Sequence, residues 1–125
     1  MNHDEIRILM VDDDSMIRDM VGFILESNSY TVETAKNGLD ALEKYKARSV
    51  DVIITDMNMP EMDGLALIRE IRRSDPDVAV ILLTGDDDAQ TYESGADECI
   101  AKDENISDTI VEAVDTVMRR KGLRG

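Results

Sequence analysis

One feature limits this chain more than any other: short apolar runs alternate with segments of helical periodicity along its whole length. Ile6 to Val11 reads as a strand, and Ile17, Met20, Val21, Ile24 and Leu25 then follow the i, i+3, i+4, i+7, i+8 pattern of a helix, with Ser15 as a candidate N-cap. Tyr30 to Ala35 is a second strand, and Asn37-Gly38 opens a helix carrying Leu39, Leu42 and Tyr45. Val50 to Thr55 is a β-branched third strand, followed by a helix over Leu65 to Arg73. Val78 to Leu83 is almost wholly apolar, as a strand covered on both faces should be. A short helix is expected between Asp87 and Ser94, a fifth strand at Glu98 to Ala101, and a last helix carrying Ile110, Val111, Val114, Val117 and Met118. Asn105, three residues before Asp108, has the spacing of a cap for that helix. Five strands alternating with five helices imply an α/β fold, a parallel sheet with helices on both faces.

The 125 residues suit one domain, taken as 1–125, and an apolar fraction of 42% is enough for a core. The 28 acidic side chains against 14 basic ones give a net charge of −14, which argues against binding a nucleic-acid backbone and for cations or basic protein surfaces. No apolar run nears the roughly 20 residues that cross a bilayer. The start, Met1-Asn2-His3-Asp4-Glu5, has no basic leader region. A single cysteine, Cys99, excludes an internal disulfide framework and fits a reducing, cytoplasmic setting. His3 stands alone near the terminus and reads as exposed. The basic residues Arg119, Arg120, Lys121 and Arg124 suit the negative end of the last helix.

In a parallel α/β sheet the ligand site lies beyond the carboxyl ends of the strands. Here those ends read Val11-Asp12-Asp13-Asp14, Thr55-Asp56-Met57-Asn58-Met59-Pro60, Leu83-Thr84-Gly85-Asp86-Asp87-Asp88 and Ala101-Lys102-Asp103, while the second strand ends in Ala35-Lys36-Asn37. If the first and third strands are neighbours, Asp12, Asp13 and Asp56 converge, and three carboxylates cannot all stay ionised there without a counter-charge. A hard divalent cation such as Mg²⁺ would supply it. A carboxylate nucleophile, a metal, a lysine and a hydroxyl together suit phosphoryl transfer. Pro60 and Gly64 shape the loop after Asp56.

The set Leu9-Met10-Val11-Asp12-Asp13, Asp56 through Gly64, Thr84-Gly85, Gly95-Ala96-Asp97 and Lys102 resembles the receiver domain of two-component response regulators, above all the single-domain, chemotaxis-receiver-like members. The pieces fall in the family's order and span nearly the whole chain. The resemblance implies a flavodoxin-like, doubly wound (βα)5 three-layer sandwich with strand order 2-1-3-4-5. It implies that Asp56 is the phosphoacceptor. Asp13 would hold Mg²⁺ directly and Asp12 mainly through water, with Asp56 and the backbone carbonyl of Asn58 completing the protein ligands. Lys102 would contact the phosphoryl group, and Thr84 would move to hydrogen-bond it, biasing a switch at the surface of the fifth strand and last helix. The implied donor is a histidine kinase or histidine phosphotransfer protein. Output would be protein–protein contact with an unidentified downstream protein, without nucleic-acid binding by this domain or membrane insertion. Such a domain is a signalling module and not an enzyme acting on an external substrate.

Three departures from the family pattern bear on this. The usual Lys-Pro pair is Lys102-Asp103, so a trans bond or a strained loop is expected there, and Asp103 could compete for the Lys102 ammonium. The usual switch aromatic is Cys99, read as a small buried hydrophobe. The stretch from Thr84 to Lys102 is about a helical turn short, which puts familiar output surfaces in question. These departures motivate an alternative, a protein-binding pseudo-switch independent of phosphorylation. An aspartyl-nucleophile phosphatase would need a second carboxylate two residues after Asp56, where Asn58 stands, and a calcium loop would need alternating ligands that neither Asp run provides. Asn58 and Asp86 flank the expected path of an attacking water and should tune hydrolysis, and Asp14 and Asp86-Asp87-Asp88 add negative charge at the rim.

Overall fold

The computed structural model describes residues 6–85 and 95–122. Its elements run β1 (Arg7–Val11), α1 (Ser15–Ser27), β2 (Thr31–Ala35), α2 (Gly38–Ala47), β3 (Val52–Asp56), α3 (Gly64–Ser74), β4 (Ala79–Thr84), β5 (Glu98–Ala101) and α4 (Ile106–Arg120). The five strands form one parallel sheet in the order β2-β1-β3-β4-β5. The helix expected between Asp87 and Ser94 lies outside the described residues, as do His3, Asp86-Asp87-Asp88 and Arg124.

Strand side chains alternate between the two faces, and each face has its own core. Ile8, Met10, Val52, Ile54, Ile81 and Leu83 pack with Val21 and Leu25 of α1 and with Ile110, Val114 and Val117 of α4. Leu9, Val11, Ile53, Val80 and Leu82 pack with Ala41 and Tyr45 of α2 and with Leu67, Ile68 and Ile71 of α3. Helices on both faces leave β3 and β4 buried at every position, which is why those strands are nearly continuous in apolar residues. The edge strands β2 and β5 are partly exposed.

Two caps differ from expectation. α1 is capped by Asp14, not Ser15: the Asp14 carboxylate accepts from Met16 N at 2.9 Å while Ser15 is already helical. A carboxylate at that end also meets the positive pole of the helix. At α4, Asn105 occupies the cap position but makes no side-chain cap bond, because its backbone (φ −95°, ψ 7°) is not the extended conformation that aims a cap side chain inward. The turn is held instead by Asp103, whose carboxylate accepts from Asn105 N at 2.9 Å.

Cys99 is also corrected. It is exposed, because β5 is an edge strand whose alternate residues Glu98 and Ile100 are the more sheltered ones. The Lys102–Asp103 bond is trans, as expected.

Candidate functional site

Strand register brings the first two carboxylates together. Val11 of β1 stands beside Thr55 of β3, so the next residues, Asp12 and Asp56, meet at the same level. Asp13 follows at the mouth. One carboxylate oxygen from each of Asp12, Asp13 and Asp56 lies within 4.8 Å of the others. Asp12 is fully buried, Asp56 is 6% exposed, and Asp13 faces solvent.

The opposing charge comes from β5. Its ladder continues past Ala101, with Lys102 N donating to Thr84 O at 2.8 Å, and this aims the lysine back over the sheet. Lys102 Nζ lies 3.1 Å from Asp12 Oδ2 and 3.3 Å from Asp56 Oδ2. Asp103 does not compete for it, since its carboxylate is turned to Asn105 N. Thr84 ends β4, one residue beyond the partner of Asp56, and is buried.

The charges are unevenly satisfied. Asp12 Oδ1 accepts from Asp14 N at 2.9 Å. Asp12 Oδ2 is met by the Lys102 ammonium at 3.1 Å as an ion pair and makes no other hydrogen bond among the described residues. Burial pushes the Asp12 carboxyl above its ordinary value, the Asp14 N–H pulls it back, and the neighbouring Asp56 charge raises it further. Burial works to lower Lys102, but Asp12 and Asp56 outweigh it and hold the ammonium above its ordinary value, fully charged. Two of the three carboxylates thus share the Lys102 ammonium, and Asp13 has no ion pair among the described residues. A buried carboxylate oxygen met by a single ammonium, in a cluster of hard oxygens, suits a divalent cation of the Mg²⁺ type.

The backbone around Asp56 is held closely. The Thr55 hydroxyl donates to Asp56 O at 2.9 Å, and Met57 N donates to Leu83 O at 3.0 Å. Gly64 N closes the following loop onto Met57 O at 2.9 Å. A Cβ on Gly64 would lie 2.3 Å from Asp56 O, so only glycine lets α3 start this close to the strand end. Asn58 sits in that loop and is exposed.

The family model of the response regulator receiver domain matches residues 8–115. The chain belongs to this family. Response regulator MprA from Mycobacterium ulcerans is 36% identical over 101 residues, 78% of this chain and 44% of MprA. Transcriptional regulatory protein GlrR from Escherichia coli K12 is 39% identical over 84 residues, 67% of this chain and 19% of GlrR. This receiver domain therefore spans less than half the length of those curated relatives. Among solved structures, a CheY-like response regulator receiver domain protein from Methanospirillum hungatei superposes with TM-score 0.89 at 28% identity, covering 98% of this chain and 100% of that one. The response regulator protein TrrA from Thermotoga maritima, in complex with Mg(2+)-BeF, has TM-score 0.83 at 36% identity, covering 90% and 98%.

All the predicted site residues described here stand at this rim of the receiver domain. Sequence reasoning missed Arg18, whose guanidinium donates to Asp12 O at 2.7 Å and ties the first turn of α1 to the acidic pair. A lone arginine in the first turn of a helix gave no signal of that role. The terminal basic residues also have partners: Arg119 pairs with Asp115, Arg120 with Glu98 at 3.2 Å, and Lys121 with Asp97 at 3.4 Å.

Proposed function

We propose that residues 1–125 form one receiver domain that accepts a phosphoryl group on the Asp56 carboxylate in a two-component phosphorelay. The donor is the phosphohistidine of a histidine kinase or histidine phosphotransfer protein. The observation that carries this reading is the cluster itself: Asp12, Asp13 and Asp56 within 4.8 Å, with Lys102 Nζ within 3.3 Å of two of them. Asp12, Asp13, Asp56 and the Asn58 backbone carbonyl are the residues that would hold Mg²⁺, and the crowding of three carboxylates of which only two reach Lys102 is the local reason that the donor set suits it. The relative TrrA, solved in complex with Mg(2+)-BeF, is in line with this choice. Bound there, the cation neutralises the crowded carboxylates and offsets charge building on the phosphoryl oxygens.

The chain's own residues do the rest. Asp56, pinned through its backbone to β4 and α3, presents a carboxylate oxygen to phosphorus in line with the scissile bond. The new O–P bond forms as the P–N bond of the donor breaks, and the electron pair leaves with the imidazole nitrogen. Lys102, kept protonated by its acidic neighbours, draws off charge from the phosphoryl oxygens. Thr84, at the end of the adjacent strand, supplies a hydroxyl donor to the acyl phosphate and couples its formation to the β4–β5 end of the sheet. The domain thus transforms only its own side chain, and its output is contact with a downstream protein. The charge of −14 favours protein over nucleic-acid partners, and no helix among the described residues is long and apolar enough to cross a membrane, which fits a cytoplasmic setting.

The test is intact mass after incubation with acetyl phosphate and Mg²⁺. One phosphoryl group should be gained, and none without Mg²⁺ or in Asp56→Asn. A folded protein that gains nothing from acetyl phosphate, or from a panel of phosphorylated histidine phosphotransfer proteins, would move the assignment to the phosphorylation-independent binding module.

A further inference from the structure

β2 is the strand whose carboxyl end brings no carboxylate to the rim, yet the helix that follows it touches the site's loop. Asn37 caps α2, accepting from Asp40 N at 2.7 Å, and Gly38 is the first helical residue. A Cβ on Gly38 would lie 2.3 Å from Met62 O, 2.6 Å from Met62 Cβ and 2.8 Å from Met62 Cγ. Two of the three atoms cannot swing away as the far end of a side chain can, so any side chain at residue 38 displaces the loop backbone.

That loop has little freedom to absorb the push. Its base is closed by Gly64 N on Met57 O at 2.9 Å, and Met57 N is tied to Leu83 O at 3.0 Å. Its far end is fixed because Asp63 caps α3, accepting from Ala66 N at 2.8 Å. Between these anchors Met62 N bonds back to Pro60 O at 2.8 Å, and Glu61 already sits at φ +73°, a left-handed conformation that side chains disfavour. A shift of Met62 must therefore be taken up by the stretch from Asn58 to Glu61.

We propose that Gly38 is a positioning residue for the metal-binding loop: its missing side chain seats Met62 on the first turn of α2 and so sets where the Asn58 backbone carbonyl stands. This rests on the metal-site reading above and assigns α2, through a shape contact, a share in metal affinity. Outer partners that only orient a ligand commonly change metal affinity by about 10–100-fold when lost.

The experiment compares Mg²⁺ binding by calorimetry in the unsubstituted protein, Gly38→Ala and Gly22→Ala, beside metal-free thermal melts. Gly22 is the control, a helical glycine whose added Cβ would meet only Val32 and Thr34 side chains at 3.9 and 4.0 Å. Gly38→Ala should weaken Mg²⁺ about tenfold, while Gly22→Ala leaves it unchanged and both variants remain folded without metal. In phosphorylation by acetyl phosphate, Gly38→Ala should need proportionally more Mg²⁺ and recover at saturation. Unchanged Mg²⁺ affinity in Gly38→Ala overturns the proposal. Should that variant not fold, amide spectra of the unsubstituted protein read the same contact: the Gly38 and Met62 signals should shift with the same Mg²⁺ dependence as Asn58, and a Gly38 signal that stays still overturns it. An unsubstituted protein that ignores Mg²⁺ altogether overturns the metal-site reading and this proposal together.

Discussion

The two rims of the sheet use the same kinds of charged residue to opposite ends. At the amino-terminal rim, Arg72 donates to Pro76 O at 2.7 Å, Val78 O at 2.5 Å, Gly95 O at 2.8 Å and the Asp97 carboxylate at 3.2 Å. Asp97 in turn accepts from Val80 N at 2.8 Å and pairs with Lys121 at 3.4 Å, and its carbonyl accepts from Arg120 at 3.1 Å. This network joins α3, β4, the approach to β5 and the end of α4. At the carboxyl-terminal rim, three carboxylates crowd together, two of them share Lys102, and a buried oxygen of Asp12 makes no hydrogen bond beyond that ion pair. Within the Arg72–Asp97 network the charges are matched, although Arg7 Nε at the start of β1 makes no hydrogen bond; at the opposite rim the carboxylates outnumber the cations beside them.

Four outcomes would break or sharpen that contrast. The largest belongs to the matched rim. Arg72→Ala strips donors from three carbonyls and leaves Asp97 half-buried with less countercharge. It should cost about 2–3 kcal/mol in urea unfolding, below the range for fully buried pairs because both side chains are about one-fifth exposed. A loss under 1 kcal/mol would make that rim no better matched than the other.

The second has the opposite sign. Asp12→Asn removes a fully buried charge from a surplus, and Lys102 keeps Asp56 at 3.3 Å, so stability without divalent cations should rise by about 1–2 kcal/mol. The same substitution should flatten the pH dependence. The folded-state pKa of Asp12 is raised, so the folded protein binds that proton more tightly than the unfolded chain does. Its ionisation therefore costs stability above the folded pKa, and acidification through that value should relieve the cost, down to the ordinary carboxylate range. Unfolding measured across this window should show the gain in the parent and not in Asp12→Asn.

The third restores balance with a ligand. Mg²⁺ at ten times its dissociation constant should stabilise the parent by about 1.4 kcal/mol, and Asp13→Asn by much less. Equal stabilisation of both would place the ion elsewhere. The smallest concerns the loop between them in character, ordered but strained. Glu61→Gly, at φ +73°, should gain about 0.5 kcal/mol or less, because relieved strain is partly offset by the freedom glycine adds to the unfolded chain.

Most of the architecture was legible because its signals are local. Period-two and period-3.6 patterns are written within ten or fifteen residues, and they located the nine described elements to within a few residues. The rule that strand ends carry the site then selected Asp12, Asp13, Asp56, Thr84 and Lys102, and the register of β1 on β3 and of β4 on β5 brings their strand ends to one rim. What failed locally did so for spatial reasons. Ser15 and Asp14 are both good caps, and only the backbone path out of the acidic pair decides between them. Cys99 looks like a core residue until β5 is seen to be an edge strand. Asp103 looked like a rival for Lys102 because it is adjacent in sequence, but its carboxylate turns into the α4 cap.

By itself, then, the sequence determined the alternating α/β layering, the parallel sheet and the residue types at the carboxyl-terminal rim, since hydrophobic burial and strand-end placement follow from patterns along the chain. Tertiary structure alone decided which distant groups meet: Arg72 with Asp97, Arg18 with the carbonyl of Asp12, and Gly38 with Met62, contacts separated by 25, 6 and 24 residues. Their strengths depend on distances of a few tenths of an ångström, and those are set only when helices and loops from separate segments pack over one sheet.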